Sequence, residues 1–410
     1  MTSKSSFGAR LRFLRQQQGL SQVALAGDEI STGYLSRLES GARQPTERVI
    51  SYLAKQLGVD RSAFDTTPTR GFLTQALSMA ATTDNDAAAE DLIAALDEAS
   101  DEDPLLRWQA LWLIVEYRHR RGERSEELAA LEQLSELADE LGLPALQCRS
   151  RTWFARCLRA SGETARALEL ATRTYLEARE AQLSTVDTGS ALLVLVATEA
   201  EAGRLPDARA HVQELLELVA DVPDNTRRAE ALWSAATVHS RLGDDDAARG
   251  YLGQAMEVLD SRDDLTLWAR LRLAAASLSL QSRPALTEPA RKYLAEAGTA
   301  LSLVGTPVQE QELLTLQAHL AFAEGDRVAA RGFLDQLDLD QLMLTYRDQI
   351  RLRALDSLLL IGEGDQEHGL ARLKQLGEDA RRASNMDLAA EIWRLLAEAL
   401  EHTDKPTTGA

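Results

Sequence analysis

The chain has 410 residues, 45% hydrophobic and 27% charged, and a formal net charge of −19. That length accommodates two or more domains with sizeable cores, and a cysteine content of only Cys148 and Cys157 excludes a disulfide-stapled scaffold. The nearest approach to a membrane span, ALLVLVA from Ala191 to Ala197, is far too short to cross a bilayer, and no apolar signal segment opens the chain, so a cytoplasmic protein with reduced, buried thiols is expected.

Charge divides the chain. Residues 1–65 carry nine Lys or Arg against six Asp or Glu, a net +3, which leaves −22 on the remainder. Only the N-terminal end therefore offers a surface for nucleic acid, and the acidic remainder repels it.

In chain order, FGARLRFLRQQQGL places Phe7, Leu11 and Leu14 on one helical face, with Gly19 as the stop. Ser21 suits the N-cap of a short helix carrying Leu25 and Ala26. The next helix begins at Ser31 or Thr32 and turns Leu35 and Leu38 inward, which leaves Thr32, Gly33, Ser36 and Arg37 facing outward until Gly41 ends it. TERVISYLAKQLG, capped by Thr46, adds Val49, Ile50, Leu53, Ala54 and Leu57. Four or five short helices thus close around one small core, near the lower size limit for independent folding.

The segments LRFLRQQQGLSQVALA and STGYLSRLESGARQP resemble the lambda-repressor-like (XRE) helix-turn-helix family. The resemblance implies that the second helix of the motif enters the major groove of DNA. It places Thr32, Gly33, Ser36 and Arg37 at base-facing positions and Ser21, Gln22 and Arg43 against phosphates. It also implies a buried ion pair between Arg15 and Glu39 that ties the first helix to the recognition helix, with Tyr34 packing rather than reading bases.

Residues 70–100 read as two further helices. The acidic stretch from Asp84 to Pro104 carries Leu92, Ile93 and Leu96 at helical spacing, so its charges form a solvated helix face. From about residue 105 the chain repeats itself. Turn glycines stand at Gly122, Gly162, Gly203 and Gly243, at steps of 40, 41 and 40 residues, and again at Gly325 and at Gly362 to Gly364. The one missing turn falls at QSRP, Gln281 to Pro284, where proline breaks the helix. Alanine follows four of these glycines by five residues, at Ala167, Ala208, Ala248 and Ala330, where a small side chain lets paired helices approach closely.

Each unit is then a helical hairpin that cannot bury its apolar face alone, and stacking supplies the partner. The pattern resembles the tetratricopeptide repeat family, with a longer period of about 40 residues. Seven hairpins are expected, their first helices starting near residues 105, 145, 186, 225, 265, 307 and 340, with Asn385 to His402 as a closing helix. Cys148 and Cys157 lie nine apart in one helix, on opposite faces, and cannot bridge.

Catalytic and metal chemistry find no motif. The six histidines are scattered over separate helices, and neither a metal-ligand spacing nor a phosphate-binding loop nor a nucleophile elbow is present. No enzyme, no cofactor and no metal are expected. The inner surface of the solenoid is the remaining candidate site, and alignment on the turn glycines puts Trp112, Glu116, Arg149, Arg156, Arg159, Trp233, Arg241 and His319 on it. Arg149, Arg156 and Arg159 share one helical stripe, a candidate carboxylate clamp. The other reading pairs these arginines with glutamates of adjacent hairpins and treats the tryptophans as core.

The expected fold is all-α: a DNA-binding domain over residues 1–68, a helical connector or cap over 69–104, a tetratricopeptide-like α-solenoid over 105–403 and a disordered tail over 404–410. The layout resembles bacterial helix-turn-helix/tetratricopeptide regulators, some of which sense short signalling peptides. That resemblance implies a homodimer on a double-stranded DNA operator at the nucleoid, controlled by a peptide, small-molecule or protein effector and free of the membrane. The alternative is a protein-binding adaptor whose helix-turn-helix is mainly an interaction module; salt-dependent, sequence-specific DNA retention separates the two.

Overall fold

The computed structural model describes residues 6–27, 29–64, 72–83, 85–99 and 102–403, and every regular element among them is a helix. The expected tail over 404–410 lies outside the described residues, as do residues 65–71, 84, 100 and 101 of the linking region. The chain divides into two compact units, Met1–Tyr117 and Arg118–Ala410.

The first unit contains α1 (Ser6–Gln17), α2 (Gln22–Ala26), α3 (Thr32–Glu39), α4 (Glu47–Leu57), a short 3-10 turn (Arg61–Phe64), α5 (Phe72–Thr82), α6 (Asp86–Asp97) and most of α7 (Pro104–Arg121). Side-chain caps start α2, α3 and α4 where the sequence places them. Ser21 Oγ accepts from the Ala24 amide at 3.1 Å, Ser31 Oγ from Tyr34 at 3.2 Å and Thr46 Oγ1 from Val49 at 3.4 Å. Leu11, Leu25, Leu35, Leu38 and Leu53 are fully buried and form the core with Phe64 beneath them. Helix α1 crosses α3 at backbone contact: a Cβ on Gly8 would lie 2.4 Å from the Leu38 carbonyl oxygen, so only glycine permits this approach.

Helices α5 and α6 pack into the same unit. The Phe72 ring meets Phe13 edge-on with centroids 5.2 Å apart, and Arg12 pairs with Asp91 at 3.1 Å. The expected boundary at residue 68 therefore falls inside a compact unit, because Arg12 and Phe13 on α1 hold the helices that follow.

The second unit begins within the last turn of α7 and continues through α8 (Arg124–Leu141), α9 (Pro144–Ala160), α10 (Thr164–Glu180), α11 (Thr185–Glu201), α12 (Leu205–Val219), α13 (Asn225–Arg241) and α14 (Asp245–Val258). It ends with α15 (Leu265–Gln281), α16 (Thr287–Val304), α17 (Pro307–Ala323), α18 (Arg327–Leu334), α19 (Tyr346–Gly362), α20 (Gln366–Arg382) and α21 (Met386–Thr403). The odd-numbered helices from α9 to α21 form a continuous layer, each against the next. This layer returns on itself, with α19 touching α9 and α21 touching α11.

Ala167, Ala208, Ala248 and Ala330 are each fully buried, at the points where paired helices cross. Cys148 and Cys157 are buried, unbridged thiols of α9. The expected helix starts agree with the structure to within a residue, except the seventh, which begins at Tyr346 rather than near 340. The reason is a short α18 of eight residues followed by an irregular segment, Asp335–Thr345, that runs back over earlier turns. There a Cβ on Gly162 would lie 2.6 Å from the Tyr346 ring, and one on Gly122 would lie 2.8 Å from Met343 Sδ. The turn glycines thus end a helix and also leave room for the returning chain.

Ala208 is fully buried and shares a core with Leu192, Leu195, Val196 and Val212. Ala208→Leu is expected to lower stability by about 1–3 kcal/mol through overpacking, read as a reduced urea midpoint.

Candidate nucleic-acid interface and candidate effector site

Glu39 anchors the N-terminal candidate site. Its carboxylate accepts two bonds from Arg15, Nε to Oε1 at 2.7 Å and Nη2 to Oε2 at 3.0 Å, and a third from Gln22 Nε2 at 2.7 Å. Arg15 Nη1 also donates to the Leu20 carbonyl at 2.9 Å. One buried carboxylate therefore joins α1, α2 and α3, and the ion pair implied by sequence resemblance is present.

With Leu35, Leu38 and Glu39 turned inward, α3 presents Thr32, Gly33, Ser36 and Arg37 on its exposed face. Arg37 Nε donates to the Gly33 carbonyl at 3.0 Å, which lays the side chain along the helix and leaves both terminal guanidinium nitrogens for another partner. Ser21 and Arg43 are exposed. Ser21 is occupied as the α2 cap, Gln22 gives one amide hydrogen to Glu39, and the Arg43 guanidinium stacks 4.9 Å from the Tyr34 ring centroid. That stacking holds Arg43 beside α3.

The residues expected in the effector groove separate into several environments. Trp112 and Glu116 belong to the first unit, where Trp112 Nε1 donates to Glu116 Oε1 at 3.0 Å and the indole stacks on Trp108 with centroids 5.2 Å apart. The three-arginine stripe of α9 does not act as one clamp. Arg149 Nε is bonded to Asp187 Oδ1 of α11 at 2.7 Å and Arg159 Nη1 to Glu201 Oε1 of α11 at 2.5 Å, so two of the three are inter-hairpin pairs. Arg156 lies 5.6 Å from the Trp153 ring centroid, and Trp233 on α13 carries Arg270 of α15 on its face at 5.0 Å.

Arg241 sits in a charge network at the seam where the layer returns on itself. It lies 3.7 Å from Glu201 and 3.4 Å from Asp387 of α21, while Arg347 of α19 reaches Asp387 at 2.8 Å. Burial, reinforced by the Arg347 charge, pushes the Arg241 guanidinium down to about 10. Glu391 of α21 is also buried, yet Arg351 and Arg347 hold its carboxyl down to about 2. His319 faces the same interior, where burial and then the Arg351 charge push it down to about 4 and keep the imidazole neutral.

Alignment on the turn glycines carries further information. Thirteen residues before Gly162, Gly203, Gly243, Gly325 and Gly364 stand Arg149, Ser190, Glu230, Glu312 and Arg351, and Arg270 holds the equivalent place in α15. This column brings one charged side chain to the inner layer from five hairpins. Glu230, Arg270 and Glu312 were missing from the sequence-based set, although their register was available there. Among the described residues no group of three His, Cys, Asp or Glu side chains could hold a metal ion, and no helix is long and apolar enough to cross a membrane.

Comparison with known proteins agrees with this division. Residues 6–66 match the family model described as a helix-turn-helix domain, and residues 187–261 match that of the tetratricopeptide repeat. Both are binding-module families rather than enzyme families. No curated protein sequence matches the chain. Among solved structures, a Rap protein complexed with competence and sporulation factor shares the fold at a TM-score of 0.54 and 11% identity, over 98% of this chain and 99% of that one. The Rap conjugation gene regulator of plasmid pLS20, in complex with the Phr* peptide, aligns at a TM-score of 0.57 and 12% identity, over 94% and 97% of the two chains.

Two predictions follow from these environments. Glu39→Ala leaves Arg15 buried without its carboxylate and is expected to destabilise the N-terminal unit by about 3–5 kcal/mol, measured by denaturant unfolding. Burial and the nearby Asp348 push Glu312 up to about 7, against the opposing charges of Arg270 and Arg124. A carboxyl raised in the folded state favours folding fully below its unfolded range near 4.5 and loses that contribution as pH rises through about 7. Glu312→Gln is therefore expected to raise the melting temperature more at pH 8 than at pH 5, and an equal change at both would contradict the assignment.

Proposed function

We propose that this helix-turn-helix chain with tetratricopeptide repeats is a sequence-specific DNA-binding transcriptional regulator of the XRE type, in which α3 reads base edges and the repeat unit holds an effector. The observation that carries the reading is the locked but outward-facing α3: Leu35, Leu38 and Glu39 fix it in the core while Thr32, Gly33, Ser36 and Arg37 are exposed. The free terminal nitrogens of Arg37 suit a bidentate contact with guanine O6 and N7. Ser21, Gln22 and Arg43 flank that face and serve the phosphate backbone, the term that makes binding salt-dependent. The local charge of +3 supports this surface, and the −22 on the remainder keeps DNA to it.

The protein acts as a homodimer at the nucleoid of a cytoplasm, since readers of this kind engage two half-sites. The shared fold with two Rap structures, one solved with competence and sporulation factor and the other with the Phr* peptide, supports an effector on the inner layer of the solenoid. Such an effector changes DNA affinity only by the difference between its affinities for two states of the repeat unit.

Selection of bound fragments from random DNA, repeated across salt concentrations, tests the reading. Arg37→Ala is expected to cost about 1–3 kcal/mol and relax preference at one base position. Arg43→Ala weakens all sequences alike. A selection profile for the Arg37 variant identical to wild type would remove α3 as the reader, and retention without sequence preference would favour the adaptor.

A further inference from the structure

Most arginines of the inner layer are satisfied. Arg149 bonds Asp187, Arg159 bonds Glu201, Arg272 bonds Glu296 at 2.9 Å and Arg351 bonds Glu391 at 2.7 Å. Four charged side chains in the middle of the layer break this rule. Arg156 of α9, Glu230 of α13, Arg270 of α15 and Glu312 of α17 make no side-chain hydrogen bond or ion pair with any described residue.

Their placement is specific. Glu230, Arg270 and Glu312 occupy the same register position on three successive inner helices, so they stand side by side. The Arg270 charge bears on both carboxylates, and the Arg156 charge bears on Glu230, so the groups are within electrostatic reach but not bonding distance. Solvent reaches both arginines, yet the protein around Arg156 still penalises its charge, the combination expected of a concavity rather than a convex surface. Both guanidiniums lie on indole faces, at 5.6 Å over Trp153 and 5.0 Å over Trp233, which orients them and leaves their in-plane N–H donors unengaged.

Desolvation disfavours the charged forms of Arg156, Glu230 and Glu312 where they stand, and a ligand of matching charge would complete them. We propose that Arg156, Arg270, Glu230 and Glu312 form the recognition site for a dipolar ligand carrying one carboxylate and one protonated amine, the groups shown by a free amino acid and by the two ends of a short peptide. The arginines take the carboxylate through charge-assisted hydrogen bonds, and the two glutamates take the amine. The site rests on the effector-controlled reading above and gives that effector a chemistry.

Thermal melts and calorimetric titration of the full chain test it with three probes: an equimolar mixture of the free amino acids, a pool of random tripeptides with free ends, and the same pool acetylated and amidated. One of the two free-ended probes is expected to raise the melting temperature, and which one identifies the source; the blocked pool is not. Arg270→Met and Glu312→Gln should each weaken that binding by about tenfold or more. Without ligand these two variants are expected to melt at or above the wild-type temperature, whereas Arg159→Met, which breaks the pair with Glu201, melts below it. No response to either free-ended probe, an equal response to the blocked pool, or a lower melting temperature for both unpaired-site variants would overturn the site. DNA retention measured alongside keeps the two readings apart. Ligand binding without a change in DNA affinity supports the site and removes its regulatory role, while DNA binding without any ligand response removes the site alone.

Discussion

The close approach of two helices within each hairpin is the contact on which the repeat unit depends. It rests on one buried alanine, five residues past the turn, at Ala167, Ala208, Ala248 and Ala330. With only a methyl group at these positions, close approach of the paired helices is sterically open, and the bulkier residues are left to fill the space between successive hairpins. Tyr175, Leu192 and Leu195 do so in one cluster, and Leu252, Leu267 and Leu271 in another. No hairpin closes its own core, so the stack, rather than the hairpin, is the folding unit.

The N-terminal unit adds directed polar bonds to its apolar core, which joins α1, α2, α3 and α4. Glu39 supplies those bonds, accepting along fixed axes from Arg15 and Gln22. Gly8 lets α1 approach the end of α3 closely enough for those bonds to form. The orientation of the exposed α3 face is in this way inherited from a buried charge.

Much of this was legible in the chain because it depends on local rules. Ser21, Ser31 and Thr46 announce helix starts through their own side-chain chemistry, and the 40-residue glycine spacing sets the hairpin starts to within a residue over most of the solenoid. The start of α19 was not legible, because Met343 and Tyr346 are placed by glycines that lie about 180–220 residues earlier in the chain, and no local signal encodes that meeting. The same limit applied to the arginine stripe. Spacing showed that Arg149, Arg156 and Arg159 share a face, but their fates were set by Asp187 and Glu201 on the next hairpin, whose distance from them only the fold determines. Glu230, Arg270 and Glu312 are a different case, since their register was present in the sequence and their lack of partners was not.

The return of the inner layer onto itself changes how the solenoid responds to thermal and mechanical stress. An open stack of repeats behaves as a one-dimensional chain, in which an end hairpin frays without consulting the others. Here the contacts of α19 with α9 and of α21 with α11, together with the pairing of Asp387 to Arg241 and Arg347, tie the last hairpin to the first half of the unit. Loss of the end hairpin then also removes partners from residues nearly 150 positions away, so local fraying is converted into a collective transition. A linear array has been made into a loop, and a loop transmits a disturbance at any one hairpin in both directions.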